Sequence, residues 1–178
     1  VYPGTCRTGT NGRAVRALRF RVPDREVAFE DRWYGHYAQN VEKAVGDFVV
    51  KRADGLWAYQ LAVVTDDIAS GVTDVVRGAD LLDNTPRQIV LTEALGARAP
   101  RYMHLPLVLN DRGEKLSKQQ GATPVDVTNP LGELERAARH LGLPTIGADS
   151  TEAFLRAAVP LWAERIASLP VKVEAERN

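Results

Sequence analysis

Between Trp57 and Leu109 the sequence switches repeatedly between helical and strand-like patterning, and few folds accommodate that. "WAYQLAVVTDDIASG" (57–71) holds an apolar block too long for one strand and stops at Gly71, so a helix is expected there. "VTDVVRG" (72–78) is β-branched and reads as a buried strand. "NTPRQIVLTEALG" (84–96) reads as a helix with Thr85 as N-cap, Pro86 at N1, Gln88 closing a capping box and Gly96 at C′. "RYMHLPLVL" (101–109) is the next expected strand. Upstream, Phe48-Val49-Val50 reads as a short strand closed by a turn at Ala53-Asp54-Gly55. Strand, helix, strand, helix, strand predicts parallel βαβ units and half of a doubly wound α/β sheet. Ligands of such sheets sit beyond the carboxyl ends of the strands. Arg77 ends one strand and "KLSKQ" follows another, so both are expected at the same rim.

The flanks read differently. Residues 1–12, "VYPGTCRTGTNG", form a Gly/Thr/Pro-rich loop, and "AVRALRFRVP" alternates like a half-exposed strand. After Gly121, residues 129–143 and 151–169 carry helical periodicity, with a kink or break expected at Pro160. The expected division is a connecting segment 1–46, an α/β unit 47–122 and a small helical appendage 123–178.

Length and charge narrow the function. The 178 residues suffice for one domain with a real core, and the 44% apolar and 26% charged fractions are ordinary for a globular chain. The 23 basic and 23 acidic residues argue against a uniformly basic nucleic-acid coat and leave room for a local patch. Arg13, Arg16, Arg19 and Arg21 could form one, or could simply solvate a strand. No apolar run is long enough for a membrane span. The single cysteine, Cys6, excludes an internal disulfide and suits a reducing cytosol. The chain opens at Val1 without an initiator Met and is expected to be the C-terminal part of a longer protein; a monomer is expected.

Few residues offer chemistry. Lys115 and Lys118 place two ammonium groups in one glycine-bounded loop, where Ser117 and backbone N–H groups could help them follow charge on a triphosphate. Ordinary surface lysines would look the same. The planar fork of Arg77 suits a carboxylate, and an ion pair with Asp66, Asp67, Asp74 or Asp80 is the alternative. Tyr59 could hydrogen-bond a polar ligand or could be a core tyrosine. Cys6 with Tyr2 is at most half a zinc site, and on these residues alone a free thiol is the better reading. His104 reads as a satisfied, partly buried histidine and His140 as a surface one.

Residues 57–96 followed by "YMHLPLVLNDRGEKLSKQQGA" resemble the second half of the catalytic domain of class I glutamyl-type aminoacyl-tRNA synthetases, from about Asp47 to Ala122 without a visible gap. "KLSKQ" (Lys115, Leu116, Ser117, Lys118, Gln119) is similar to the family's KMSKS loop. The resemblance implies that Lys118, with Lys115 beside it, contacts ATP, which is used with Mg2+, and that Tyr59 and Arg77 bind L-glutamate. Three features resemble a smaller branch that passes glutamate to queuosine in the anticodon loop of tRNA(Asp). "YPGTC" implies Tyr2 and Cys6 as the last two ligands of a zinc site. Gln119 stands where ordinary bacterial members usually carry Arg. The stretch after Ala122 is too short for an anticodon-binding domain. A fragment of an ordinary glutamyl-tRNA synthetase and a non-catalytic tRNA-binding paralogue are the alternatives. The HIGH motif of the family does not occur in these residues, so the chain alone is expected not to form glutamyl-adenylate.

Overall fold

The structure, a computed structural model, describes residues 1–110, 112–116 and 122–169. Its strands are β1 (Leu18–Phe20), β2 (Glu26–Asp31), β3 (Gly35–Asn40), β4 (Phe48–Lys51), β5 (Asp74–Gly78) and β6 (Arg101–Leu105). Its helices are α1 (Val41–Ala44), α2 (Tyr59–Ala69), α3 (Thr85–Ala94), α4 (Pro130–His140) and α5 (Thr151–Ala167), with a 3₁₀ turn at Ala79–Asn84. The class is mixed α/β, as the sequence patterning predicts.

One of the two expected βαβ units forms. β5 and β6 lie side by side in parallel, from Asp74 opposite Arg101 to Gly78 opposite Leu105, with α3 in the crossover. The other does not form, because β4 leaves this sheet and pairs antiparallel with β1. The place next to β6 goes instead to β2, which runs parallel to it and carries β3 as an antiparallel hairpin partner, giving the order β3-β2-β6-β5. Among the described residues β5 is therefore an edge strand. Val76 is 58% exposed in it, so the expectation of a buried strand over 72–78 is corrected.

The expected caps of α3 are half right. Gly96 adopts φ +74° and ends the helix, with its N–H donating to the Glu93 carbonyl and the Ala97 N–H donating to that of Thr92. At the other end Thr85 is not the N-cap. The 3₁₀ turn runs straight into α3, so the Thr85 N–H already donates to the Leu82 carbonyl and the side chain is released for other work. Gln88 closes no capping box either. It is buried, and its amide donates to Gln60 of α2, which in turn donates to Asn84.

The two faces of the sheet are covered by different helices. Val75, Arg77, Tyr102 and His104 share the face that carries α2 and α3, where Val64, Ile89, Val90 and Leu91 join Val22, Val27, Phe48 and Tyr102 in the core. Each such aliphatic side chain contributes about 1.5–3 kcal/mol through burial. On the opposite face Val76 and Leu105 meet Leu134, Ala138, Phe154 and Trp162 of α4 and α5 around an apolar cleft of about 380 Å³. Pro160 does not break α5, which runs through it from Thr151 to Ala167. The helix is further anchored where Trp162 stacks on Trp33 of the β2–β3 turn, with Arg165 over the same ring.

Candidate functional site: the rim of β5 and β6

The site begins with a carboxylate that the sequence does not advertise. Asp31 ends β2 and is 4% exposed. One of its oxygens accepts the N–H groups of Trp33 and Tyr34 at 3.0 and 2.9 Å, which closes the turn into β3. The other accepts from the backbone N–H of His104 at 3.0 Å and lies 2.6 Å from His104 Nδ1. Burial alone would push the Asp31 carboxyl up. The His104 ring and the N–H groups of Tyr34, Trp33 and His104 outweigh it and hold the group below the ordinary carboxylate value.

His104 is fully buried in the middle of the sheet. Its other nitrogen, Nε2, is 3.0 Å from Arg77 Nε and 3.2 Å from Thr85 Oγ1. The Arg77 Nη2 group donates to Thr85 Oγ1 at 2.8 Å, and its guanidinium sits 5.5 Å from the centre of the Tyr102 ring. Burial lowers the tendency of Arg77 to hold its proton and pushes the Tyr102 phenol up to about 12, so the ring beneath the guanidinium is neutral. None of the four aspartates considered from sequence pairs with Arg77 among the described residues. Its partners are an imidazole, a hydroxyl and, at 3.4 Å, the Leu81 carbonyl.

The other expected residues fall around this centre. Tyr59 is the first residue of α2, is 55% exposed and is near enough to act electrostatically on Arg77; it is not a core tyrosine. Lys115 reaches the same rim, because its Nζ lies 2.5 Å from Asp80 Oδ2, three residues beyond Arg77. Gly78 permits that approach: a Cβ there would stand 2.6 Å from Asp80 Oδ1. Leu116 continues the stem, its N–H donating to the Val108 carbonyl. Ser117, Lys118 and Gln119 lie outside the described residues. His140 is exposed and bonds the Pro106 carbonyl at 2.9 Å through Nε2. Sequence reading named His104 only as a satisfied histidine and missed Asp31. The signal was an acidic residue ending an apolar strand, but nothing local shows its partner 73 residues away.

Tyr2 and Cys6 are brought together elsewhere. Tyr2 bridges to Gly46, whose φ of +76° and contact with the Tyr2 backbone leave no room for a side chain, since a Cβ would lie 2.6 Å from Tyr2 O. Arg7 anchors the segment by a two-pronged contact with Asp47 at 2.6 and 2.7 Å, and the guanidinium of Arg19 covers the Tyr2 ring at 4.0 Å. Arg19 is thus part of the packing here. The Tyr2 hydroxyl accepts the Cys6 N–H at 2.8 Å, and hydrogen bonding to the Cys6 side chain raises the phenol above its ordinary value. Two zinc-competent donors on one turn fit half of a tetrahedral site. Among the described residues no group of three or more His, Cys, Asp or Glu is arranged to hold a metal. No helix of the described residues is long and apolar enough to cross a membrane.

The chain is 60% identical over 172 residues to the glutamyl-Q tRNA(Asp) synthetase of Ralstonia nicotianae, covering 95% of this chain and 54% of that protein. It is 57% identical over 170 residues to the protein of the same name from Burkholderia mallei, covering 93% and 57%. The chain thus spans about half the length of the curated relatives it matches. Among solved structures it is similar to a glutamate tRNA ligase from Elizabethkingia meningosepticum in complex with its amino acid, at 34% identity and a TM-score of 0.53, over 59% of this chain and 21% of that one. Residues 5–138 match the family described as tRNA synthetases class I (E and Q), catalytic domain, and the chain belongs to that family.

Proposed function

We propose that this chain is part of a tRNA-dependent glutamate ligase that activates L-glutamate with ATP and passes it to queuosine in the anticodon loop of tRNA(Asp). The observation that carries the reading is Arg77, a partly buried guanidinium held by neutral partners, within electrostatic reach of the exposed Tyr59 and on the rim that Lys115 also reaches. The name shared by the relatives supports the choice of acceptor.

In the first step a carboxylate oxygen of glutamate attacks the α-phosphorus of ATP and pyrophosphate leaves. This chemistry needs alignment and charge stabilisation more than proton transfer. Arg77 and Tyr59 hold the amino acid. An arginine facing the side-chain carboxylate, in place of the α-carboxylate that reacts, would also select Glu over Gln, because a neutral amide leaves the guanidinium poorly paired. Lys115 and Lys118 take up charge developing on the phosphates, and a bound Mg2+ would supply further positive charge there. Loss of Lys118 should cost about 3–4 kcal/mol in the transition state, read as kcat/KM in ATP–pyrophosphate exchange. In the second step a hydroxyl of the queuosine cyclopentenediol attacks the glutamyl carbonyl of the adenylate, an ester forms and AMP leaves. Tyr2 and Cys6 would supply two donors to a structural zinc in the full-length protein, which metal analysis of that protein tests.

The deciding experiment supplies the full-length protein with labelled glutamate, ATP and two tRNA(Asp) samples, one with queuosine and one with guanosine at that position. Label is expected only in the first. Charging of tRNA(Glu) at its 3′ end instead would make the protein an ordinary glutamyl-tRNA synthetase. The 178 residues alone are expected to give no ATP–pyrophosphate exchange, because they hold no HIGH motif.

A further inference from the structure

We propose that His104 is a positioning residue for Arg77: fixed by Asp31 in its neutral Nδ1–H form, it offers Nε2 as an acceptor that sets the plane of the guanidinium. The inference rests on Arg77 being the carboxylate ligand and adds what gives that ligand its aim.

The hydrogen-bond directions leave little choice. The second oxygen of Asp31 already accepts a backbone N–H, and at 2.6 Å from Nδ1 a carboxylate requires a proton on the imidazole. Arg77 Nε–H can only donate, so at 3.0 Å the facing Nε2 must carry a lone pair. One tautomer satisfies both contacts, and an imidazolium satisfies only one. Asp31 is negative, His104 neutral and Arg77 positive, so the buried charges balance across the ring between them.

The same contacts divide the guanidinium. Nε and Nη2, its side-on edge, are held by His104 and Thr85. Nη1 makes no hydrogen bond among the described residues. Nη2 makes one further, long contact, 3.4 Å to the Leu81 carbonyl, so the Nη1 end is the part of the fork left for a carboxylate. Holding one edge of a rigid planar group fixes the direction of the other. Each anchor is itself locked: His104 by Asp31 and its place in β6, and Thr85 by the junction of the 3₁₀ turn with α3. A looser arginine would bind carboxylate at the cost of ordering itself first.

Two measurements test this. In the chain labelled with ¹⁵N, long-range ¹H–¹⁵N correlation should show one of the three histidines with a protonated Nδ1 and a bare Nε2, assigned to His104 by its loss in His104→Gln. A bare Nδ1, or an imidazolium, overturns the inference whatever the enzyme does. In the full-length protein, His104→Asn keeps a donor for Asp31 and removes the acceptor for Arg77, whereas His104→Gln can restore an acceptor near Nε2. In ATP–pyrophosphate exchange His104→Asn should raise the KM for glutamate about 10- to 100-fold, with the KM for ATP within about twofold, and His104→Gln should recover most of the loss. Equal effects on both substrates, or an unchanged glutamate KM in His104→Asn, would show a role in packing alone. A wild-type protein without glutamate-dependent exchange would overturn the functional reading, and with it the substrate half of this inference, while the tautomer result would still stand by itself.

Discussion

Arg77 and Lys115 stand on one rim and are held by opposite means. Arg77 is tied to a hydroxyl and an imidazole, and the imidazole to a carboxylate, with Asp31 and His104 both shut off from water. Lys115 has one ion pair with Asp80, and both side chains are substantially exposed. The difference matches two kinds of work. A group that must recognise a small carboxylate gains from being fixed in advance. A cation that follows charge along a phosphate chain during reaction gains from a partner it can leave at low cost.

The comparison can be broken most severely at Asp31. Asp31→Ala leaves the backbone N–H groups of Trp33, Tyr34 and His104 without their acceptor and Arg77 without its distant counter-charge. It should destabilise the protein by about 3–5 kcal/mol in urea unfolding. A loss below 1 kcal/mol, in keeping with a surface pair, would erase the contrast with Lys115. Arg77→Lys comes next. An ammonium cannot hold the His104 and Thr85 contacts and also present a fork, so glutamate binding should weaken by about 1.5–3 kcal/mol. The KM for glutamate in pyrophosphate exchange reads it.

Acid sharpens the contrast from another side. The Asp31 carboxyl titrates below its ordinary value of 3.8 in the folded protein, so its contribution is complete above that pH and is lost as pH falls through the folded value. Unfolding free energy followed from pH 6 downward should decline on the acid side, and Asp31→Asn should flatten part of that decline. The smallest effect belongs to Lys115. A double-mutant cycle with Asp80 should give a coupling of about 0.2–1 kcal/mol that fades in 1 M salt. A salt-resistant coupling of several kcal/mol would place Lys115 in the same class as Arg77.

Much of this rim was legible because it is built from local signals. The helix over α2, each separate element of the β5–α3–β6 unit and the glycine that ends α3 follow from residues within a dozen positions of one another. What failed was non-local. β4 looked like the first strand of the sheet, but β2 holds the place beside β6, and no local pattern records a parallel pairing across some seventy residues. Thr85 was recognised as a polar residue at a helix start; its side chain was free for Arg77 because the preceding 3₁₀ turn had already used its N–H. Pro160 was expected to interrupt a helix that runs on through it, anchored by Phe154 in the core and Trp162 against Trp33. Asp31 was overlooked because a carboxylate is noticed by its neighbours in sequence, and its decisive neighbour is His104.

The parallel pairing of β2 with β6 has a consequence for the order in which the molecule assembles. No hairpin can bring Asp31 to His104. Their contact closes a loop that holds α2, β5 and α3, and the entropy lost in closing it is offset only when those elements pack with it. The holder of Arg77 is therefore no local unit that could open or close by itself. Its lifetime is that of the whole sheet, and the buried His104 amide should exchange its hydrogen for deuterium only as often as the entire domain comes apart.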